Sequence, residues 1–331
     1  MFQVLRNPIF AAIAVALTLP SIFVGCRTTV TEADAARKTS SGSTYPTAAE
    51  VASSAPYTSI SSNGAPGAGV PKPTPAAFNF APKPDESQKP GISGQAAILV
   101  DGWGRVLYEK NADARRPAAS TQKLLLAILI VENGNLGQTV TIAKEDTWVE
   151  PTIVGFKTGD TYTREELLRA VLVRSCNDIA HALARDHSGS VSAFAANMNR
   201  RARQLGMNNS YFTNASGLPK PEGQYSTARD LAILGAAAMS KPFIRAAVRT
   251  KSVVFHLDSG STKTLTNTNA LLKSRDYCTG AKTGYTHAAG KCLVSTGSAN
   301  GKSVIAVILG SKTPTIWEES DSLLKYGLGL P

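Results

Sequence analysis

The pattern of apolar and polar positions separates a long N-terminal stretch of small and polar residues from a folded part that starts near residue 95. An apolar run over 95–100 resumes over 105–108 after two glycines, which predicts a β-hairpin. Residues 123–131 are apolar on every side. A helix of that kind is usually buried at the centre of a domain, so we expect a central helix here.

The middle of the chain has helical periodicity, and its end has strand-like runs. Thr163 and Glu166 form a capping-box pattern, which predicts a helix from there to Val173. Further helices are expected over 178–186, 191–205, 228–239 and 316–326. Strands are expected over 252–257, 277–283, 291–297 and 303–309. This order predicts an α+β fold whose sheet, mostly antiparallel, joins both ends of the chain.

Residues 1–26 have the layout of a signal peptide. Arg6 supplies the positive charge, and an apolar run follows that ends in Phe23-Val24-Gly25-Cys26. This ending resembles a lipobox, so we predict that Cys26 is lipidated and attaches the exported protein to the membrane. An uncleaved anchor is one alternative, because the apolar run approaches the length of a membrane span. Simple secretion is the other.

Residues 27–94 are rich in Ser, Thr, Ala, Pro and Gly, with few large apolar side chains. Such a composition cannot bury enough surface to offset the entropy lost on ordering. We therefore predict a disordered tether over 27–94, followed by a single folded domain over 95–331.

The charge and the cysteines exclude several classes of function. The formal net charge is +11, but the basic residues are scattered, so nucleic-acid binding is not expected. The four cysteines include no Cys-x-x-Cys pair, and their spacing fits no usual zinc pattern. We expect neither a metal nor an organic cofactor.

The first candidate motif is Ser120-Thr121-Gln122-Lys123, at the start of the predicted central helix. Residues three apart share one helix face, so the amine of Lys123 can approach the hydroxyl of Ser120. A serine becomes a good nucleophile when a neighbouring base takes its proton. Burial and a second nearby cation would lower the pKa of Lys123 towards neutrality and make it such a base. Ser322 and Lys325 repeat the spacing, so the motif alone is weak.

The second candidate motif is Ser175-Cys176-Asn177, in the break between two predicted helices. A hydroxyl and a carboxamide placed together can relay a proton and hold a peptide carbonyl. Two other segments match this short pattern, at 61–63 and 298–300. The competing interpretation is a turn in which Asn177 caps the following helix.

The third candidate motif is Lys282-Thr283-Gly284, at the end of a predicted strand. A cation and a hydroxyl on an exposed strand suit a substrate carboxylate, and glycine lets a peptide backbone approach. Residues 157–159 repeat the three letters before a capped helix, where we predict a loop.

The three motifs occur in one order, nucleophile, Ser-x-Asn and Lys-Thr-Gly, each in a suitable element. This combination is the signature of penicillin-binding proteins and serine β-lactamases. The sequence resembles the low-molecular-mass D-alanyl-D-alanine carboxypeptidases from about residue 95 to 326. Further likenesses are found at 96–110, 117–120, 198–199, 205–207, 217–219, 227–231, 280–286 and 289–290.

The resemblance implies a sheet flanked by helices, an all-helical lobe and an active site between the two. It implies that Ser120 attacks the carbonyl between two terminal D-alanines of a peptidoglycan stem peptide. By the same resemblance, the roles of the other residues are as follows: Lys123 takes the proton, Ser175 relays it, Asn177 orients the substrate, Lys282 and Thr283 bind the carboxylate, Gly284 gives room, and the amides of Ser120 and Tyr285 form the oxyanion hole. β-Lactams are expected to acylate Ser120.

Several alternatives stay open at this point. A D,D-endopeptidase of the same family is the main rival, followed by a β-lactamase and a protein that merely binds wall peptides. Cys176 stands where the family often has glycine, and we expect a packed side chain rather than a reactive thiol. Cys278 and Cys292 lie on adjacent predicted strands, so both a disulfide and free buried thiols are considered.

Overall fold

The computed structural model describes residues 84–331 of the chain. Its strands are β1 (Ala96–Asp101), β2 (Val106–Lys110), β3 (Thr139–Thr141), β4 (Thr161–Thr163), β5 (Ser252–His256), β6 (Thr262–Thr266), β7 (Cys278–Thr286), β8 (Gly290–Ala299) and β9 (Lys302–Ser311). Its helices are α1 (Lys123–Glu132), α2 (Arg164–Arg174), α3 (Asn177–Ser188), α4 (Val191–Gln204), α5 (Ala228–Met239), α6 (Pro242–Arg249), α7 (Leu271–Ser274) and α8 (Thr315–Leu328).

The main sheet has five antiparallel strands in the order β2-β1-β9-β8-β7. Strand β1, from the start of the folded part, pairs directly with β9 near its end. The prediction of an α+β fold with a sheet that joins both ends is therefore confirmed. Strand β7, which carries the Lys-Thr-Gly motif, lies at one edge of this sheet.

The two faces of the sheet are covered by different helices. Because side chains alternate along a strand, Ile305 and Val307 of β9 face a core formed with α1, α2, α3 and α5. The intervening Val304 and Ala306 face a second core formed with α7 and α8. Burial on both faces explains why this strand is almost continuously apolar in sequence.

The predicted helices are all present, and α1 is buried along nearly its whole length, as expected. Thr163 and Glu166 form the predicted capping box of α2. Sequence reasoning missed α6, α7, β3, β4 and β6, although it predicted a strand where β5 lies. Strands β3 and β4 have three residues each, too few for a period of two to be recognised.

The possible disulfide between Cys278 and Cys292 is not formed, and both residues are free thiols. Cys278 packs with the α8 side of the sheet, whereas Cys292 packs with the α1 side. Their side chains therefore point to opposite faces, which rules out a covalent bond between them. The alternative of two buried free cysteines is confirmed.

Some residues before position 95 already contact the domain. Ile92 is buried, and the amides of Ser93 and Gly94 donate hydrogen bonds to the carboxylate of Glu319 in α8. The extent of the tether stays a prediction, and Cys26 lies outside the described residues.

Within residues 84–331, no single helix has the length and apolar character needed to cross a membrane. Helices α5 and α6 pass that test of length and composition as a pair, bent by 104° at their junction.

Candidate active site

The first motif places a serine hydroxyl against a lysine amine. Ser120 lies in a short 3-10 turn, Ala119–Gln122, and Lys123 begins α1 directly after it. The Nζ atom of Lys123 is 2.7 Å from Ser120 Oγ. The residue before the serine, Ala119, has a φ of +48°, which few residues other than glycine adopt. Strained backbone of this kind is found most often at functional sites.

Lys123 is fully buried, and its amine has three hydrogen-bond partners from three parts of the chain. Besides Ser120 Oγ, Nζ lies 2.8 Å from Asn177 Oδ1 and 2.7 Å from the carbonyl oxygen of Ser216. Burial lowers the pKa of Lys123 well below its ordinary value, and the charge of Lys282 lowers it further. The lysine is therefore suited to accept a proton.

The second motif joins α2 to α3 through a left-handed residue. Ser175 directly follows the last residue of α2 and has a φ of +70°, and its hydroxyl lies 2.8 Å from Lys282 Nζ. Asn177 begins α3, but its side chain does not cap that helix. It accepts from Lys123 and donates to the carbonyl oxygen of Pro151 instead. The carboxamide is thus held between α1 and the loop at Pro151.

Cys176, which lies between Ser175 and Asn177 in the second motif, is buried, and burial raises the pKa of its thiol to about 12. A thiol with such a high pKa stays protonated and is a poor nucleophile. Cys176 is therefore a packed side chain, in agreement with the sequence-based expectation.

The third motif lies on β7, but its lysine is not exposed as the sequence indicated. Lys282 is buried, and its Nζ donates to Ser175 Oγ and, at 3.0 Å, to the carbonyl oxygen of Thr283. Burial lowers the pKa of Lys282 to about 7. The hydroxyl of Thr283 lies 2.6 Å from that of Thr268.

A cleft of about 320 Å³ lies over these groups. Ser120, Ser175, Asn177, Thr283, Gly284 and Tyr285 line it, and the amines of the two buried lysines, Lys123 and Lys282, contact Ser120 and Ser175 of this lining. The three motifs therefore meet in one place. The repeated patterns do not belong to it: Ser322 is exposed on α8, and residues 157–159 form the predicted turn region.

Two glycines bring backbone against the serine. A Cβ placed on Gly217, whose φ is +87°, would lie 2.1 Å from the carbonyl oxygen of Ala119. A Cβ on Gly284 would lie 2.9 Å from the amide nitrogen of Ser120. Both distances are below any real contact, so only glycine fits at either position.

Sequence reasoning missed three residues of the site: Arg174, Ser216 and Thr268. Ser216 acts through its carbonyl oxygen, which no side-chain motif can reveal, although it directly precedes the noted Gly217-Leu218-Pro219 segment. Thr268 and Arg174 line the cleft from a loop and from the end of α2. Neither carries a local signal, because folding alone brings them to the cleft.

Solved structures with this arrangement are DD-peptidases and related enzymes. The crystal structure of a Streptomyces DD-transpeptidase matches with a TM-score of 0.69 and 32% identity, covering 73% of this chain and 99% of that one. A penicillin-binding protein homologue from Mycobacterium tuberculosis matches with a TM-score of 0.71 and 32% identity, over 75% of this chain and 97% of the other. The fold is that of the DD-peptidases.

The sequence comparisons give the family. The family model described as D-alanyl-D-alanine carboxypeptidase matches residues 83–313. A curated relative of that name from Mycobacterium tuberculosis is 35% identical over 73% of this chain and 84% of its own length. One from Bacillus subtilis is 32% identical over 66% of this chain and 58% of its own length. The chain belongs to the D-alanyl-D-alanine carboxypeptidase family.

The contact of Gly217 with the serine turn gives a test of the site's geometry. We expect Gly217→Ala to reduce acylation by a fluorescent penicillin by about a hundredfold, since displacements near 1 Å at a reacting group have such effects. Gly223→Ala is the matched control: its φ is +95°, and a Cβ there would meet no atom within 4 Å. Both variants strain a left-handed position, but only Gly217→Ala adds an overlap with backbone, so it is expected to lose more thermal stability, and acylation is compared at a temperature where both variants are folded. Equal acylation of the two variants would contradict the assignment.

Proposed function

We propose that the protein removes the terminal D-alanine from peptidoglycan stem peptides through an acyl-enzyme on Ser120. The observation that carries the proposal is the 2.7 Å contact between a buried lysine amine and Ser120 Oγ at the cleft. The family supplies the class of enzyme, a serine-type D-Ala-D-Ala carboxypeptidase. The roles of the individual residues are our assignment.

Acylation begins when neutral Lys123 takes the proton of Ser120. The Oγ atom then bonds to the carbonyl carbon between the two D-alanines, and negative charge develops on the carbonyl oxygen. The amides of Ser120 and Tyr285 stabilise this oxyanion, an interaction worth about a hundredfold in rate or more. The close approach of Gly284 to the amide of Ser120 supports this role, because it holds the backbone of β7 against the turn that contains Ser120.

Collapse of the tetrahedral intermediate breaks the carbon–nitrogen bond. Ser175 relays a proton to the leaving amine, and its hydrogen bond with Lys282 supports that role. Lys282 and Thr283 hold the carboxylate of the leaving D-alanine, while Asn177 orients the substrate amide and Lys123 together. Water then hydrolyses the ester, and Ser120 regains its proton. A β-lactam acylates the same Ser120 Oγ as its ring C–N bond opens, the released amine stays attached to the acyl group, and this ester hydrolyses slowly, so the compound acts as an inhibitor.

A D,D-endopeptidase that cuts crosslinks is the second candidate. A protein named D-alanyl-D-alanine endopeptidase from Pseudomonas aeruginosa is 32% identical over 66% of this chain and 71% of its own length. The two reactions share the acyl-enzyme and differ in the size of the leaving group. Release of D-alanine from a pentapeptide, compared with cleavage of crosslinked muropeptides, separates them.

We further propose that the protein is exported and works outside the cytoplasm, attached to the membrane through a lipid on Cys26. Enzymes of this family act on the cell wall, which lies outside the cytoplasm. The signal-peptide layout and the lipobox-like ending of residues 1–26 support the lipid anchor, and the Ser/Pro-rich segment up to residue 94 would let the domain reach its substrate.

Substitution of the proposed nucleophile tests the mechanism. We expect Ser120→Ala to abolish labelling by fluorescent penicillin and release of D-alanine, because the ester can no longer form. Lys123→Ala should slow both by about 10²–10⁴-fold, the usual contribution of a general base. Ser322→Ala, in the repeated motif on α8, should label as the wild type does. Full labelling of Ser120→Ala would overturn the proposal.

The rate of acylation should depend on pH through the two buried lysines. Protonated Lys123 has no free electron pair, so acylation slows as the pH falls through the lowered pKa of this residue. Lys282 attracts a carboxylate only while charged, and its pKa is about 7, so the rate also declines above that value. We expect a bell-shaped profile of the second-order rate constant, whose limbs belong to the lysine pair. A flat profile between about pH 5 and 10 would argue against a lysine base.

The lipid anchor is tested with the full chain in a bacterial host. A radioactive fatty acid should label the wild type, and Cys26→Ser should remove the label, since the thiol is the acylated group. Penicillin labelling of the same variant serves as the control for folding. Unchanged fatty-acid labelling after the substitution would rule out lipidation at Cys26.

A further inference from the structure

Arg174 is an exposed cation at the mouth of the cleft. It is the last residue of α2, directly before Ser175, and it lines the cleft with Thr268 and Thr283. Within residues 84–331, no carboxylate pairs with its guanidinium. Several other arginines of this range do form ion pairs with carboxylates: Arg164, Arg185, Arg201, Arg229 and Arg275. An unpaired guanidinium at a cleft is available for a ligand.

The surroundings of Arg174 are fixed by the fold. The amide of Thr268 donates a hydrogen bond of 3.1 Å to the carbonyl oxygen of Val173, which ties the Thr268 loop to the end of α2. The hydroxyls of Thr268 and Thr283 are 2.6 Å apart. Arg174 directly follows Val173, so the cleft lining includes a guanidinium and two hydroxyls on neighbouring segments, which are hydrogen-bonding groups that suit a carboxylate.

The charge of the cleft points to an anionic ligand. No Asp or Glu is among the residues of the described range that line it, whereas Arg174 and Lys291 are. Lys282 is buried and is not among the lining residues, and burial lowers its pKa to about 7. Arg174 is exposed and lines the cleft, so its guanidinium can reach an anionic ligand directly.

We propose that Arg174 is a specificity-determining residue, whose guanidinium selects peptides and inhibitors that have a free carboxylate at the leaving end. Together with the hydroxyls of Thr268 and Thr283, it holds the two carboxylate oxygens in the planar arrangement that arginine favours. This inference rests on the proposed acyl-transfer function, because it concerns the ligand of that same cleft.

The experiment compares a penicillin with its carboxyl methyl ester, which lacks the negative charge. Second-order rate constants of acylation are measured by intact-protein mass spectrometry, so slow reactions remain measurable. We expect Arg174→Gln to lower the rate for the acid about tenfold, the lower part of the range for a charged hydrogen bond, because the site is partly solvated. The rate for the ester should stay within about twofold, and Arg174→Lys should fall between.

Arg203→Gln is the matched control. Arg203 is also an exposed arginine in the last turn of a helix, α4, and it is not among the residues that line the cleft. This variant removes the same charge from the protein and should acylate as the wild type does. With a peptide ending in D-Ala-D-Ala, Arg174→Gln should raise KM with little change in kcat, since the interaction holds the substrate rather than the reacting atoms.

Three outcomes would count against the inference in different ways. An unchanged rate for the acid in Arg174→Gln would show a solvated side chain without a ligand role. Equal losses for acid and ester would show that the substitution disturbs Ser175 instead of carboxylate binding. Failure of the wild type to react with either compound would overturn the proposed function itself, and with it this inference.

Discussion

The site depends on the burial of a lysine amine whose hydrogen bonds are all made. Moving a charged amine out of water costs several kcal/mol, and the cost is reduced when its donors are satisfied or its proton is lost. The partners of Lys123 come from the serine turn, from α3 and from the loop that holds Ser216. The same contacts that stabilise the buried amine therefore join three parts of the chain around Ser120. A second buried lysine, Lys282, favours the neutral form of the first.

Strained backbone accompanies this arrangement on both sides of the cleft. Ala119 and Ser175 adopt left-handed conformations, each of which costs about 1–2 kcal/mol for a residue with a Cβ. They are adjacent to, or part of, the two motifs that must face each other. Packing of α1 in the core and of Gly217 against the serine turn keeps the first of them in place. The strain is therefore a property of the site's geometry, and the surrounding core offsets it.

The sheet holds the two Ser-x-x-Lys patterns apart, although Ile316 and Trp317 at the start of α8 also line the cleft. Helix α8 covers one face, and its Ser-x-x-Lys copy is an ordinary surface pattern, because Ser322 is exposed. The working copy lies on the other side, where α1, α3 and the edge strand β7 meet. Spacing within a motif makes a side-chain contact possible, and only the position in the fold supplies the other partners that lower the pKa of Lys123.

Local periodicity and capping patterns reflect burial along each element, so the sequence was enough to predict the α+β class, most of the longer elements and the three motifs. It also indicated the family through the order of the motifs. The folded domain alone shows that Lys282 is buried, that Cys278 and Cys292 face opposite sides of the sheet, and that the carbonyl oxygen of Ser216 binds Lys123. Folding also brings Arg174, Thr268 and Thr283 into the lining of one cleft. These features arise from contacts between residues far apart in the chain, and no local pattern encodes such contacts.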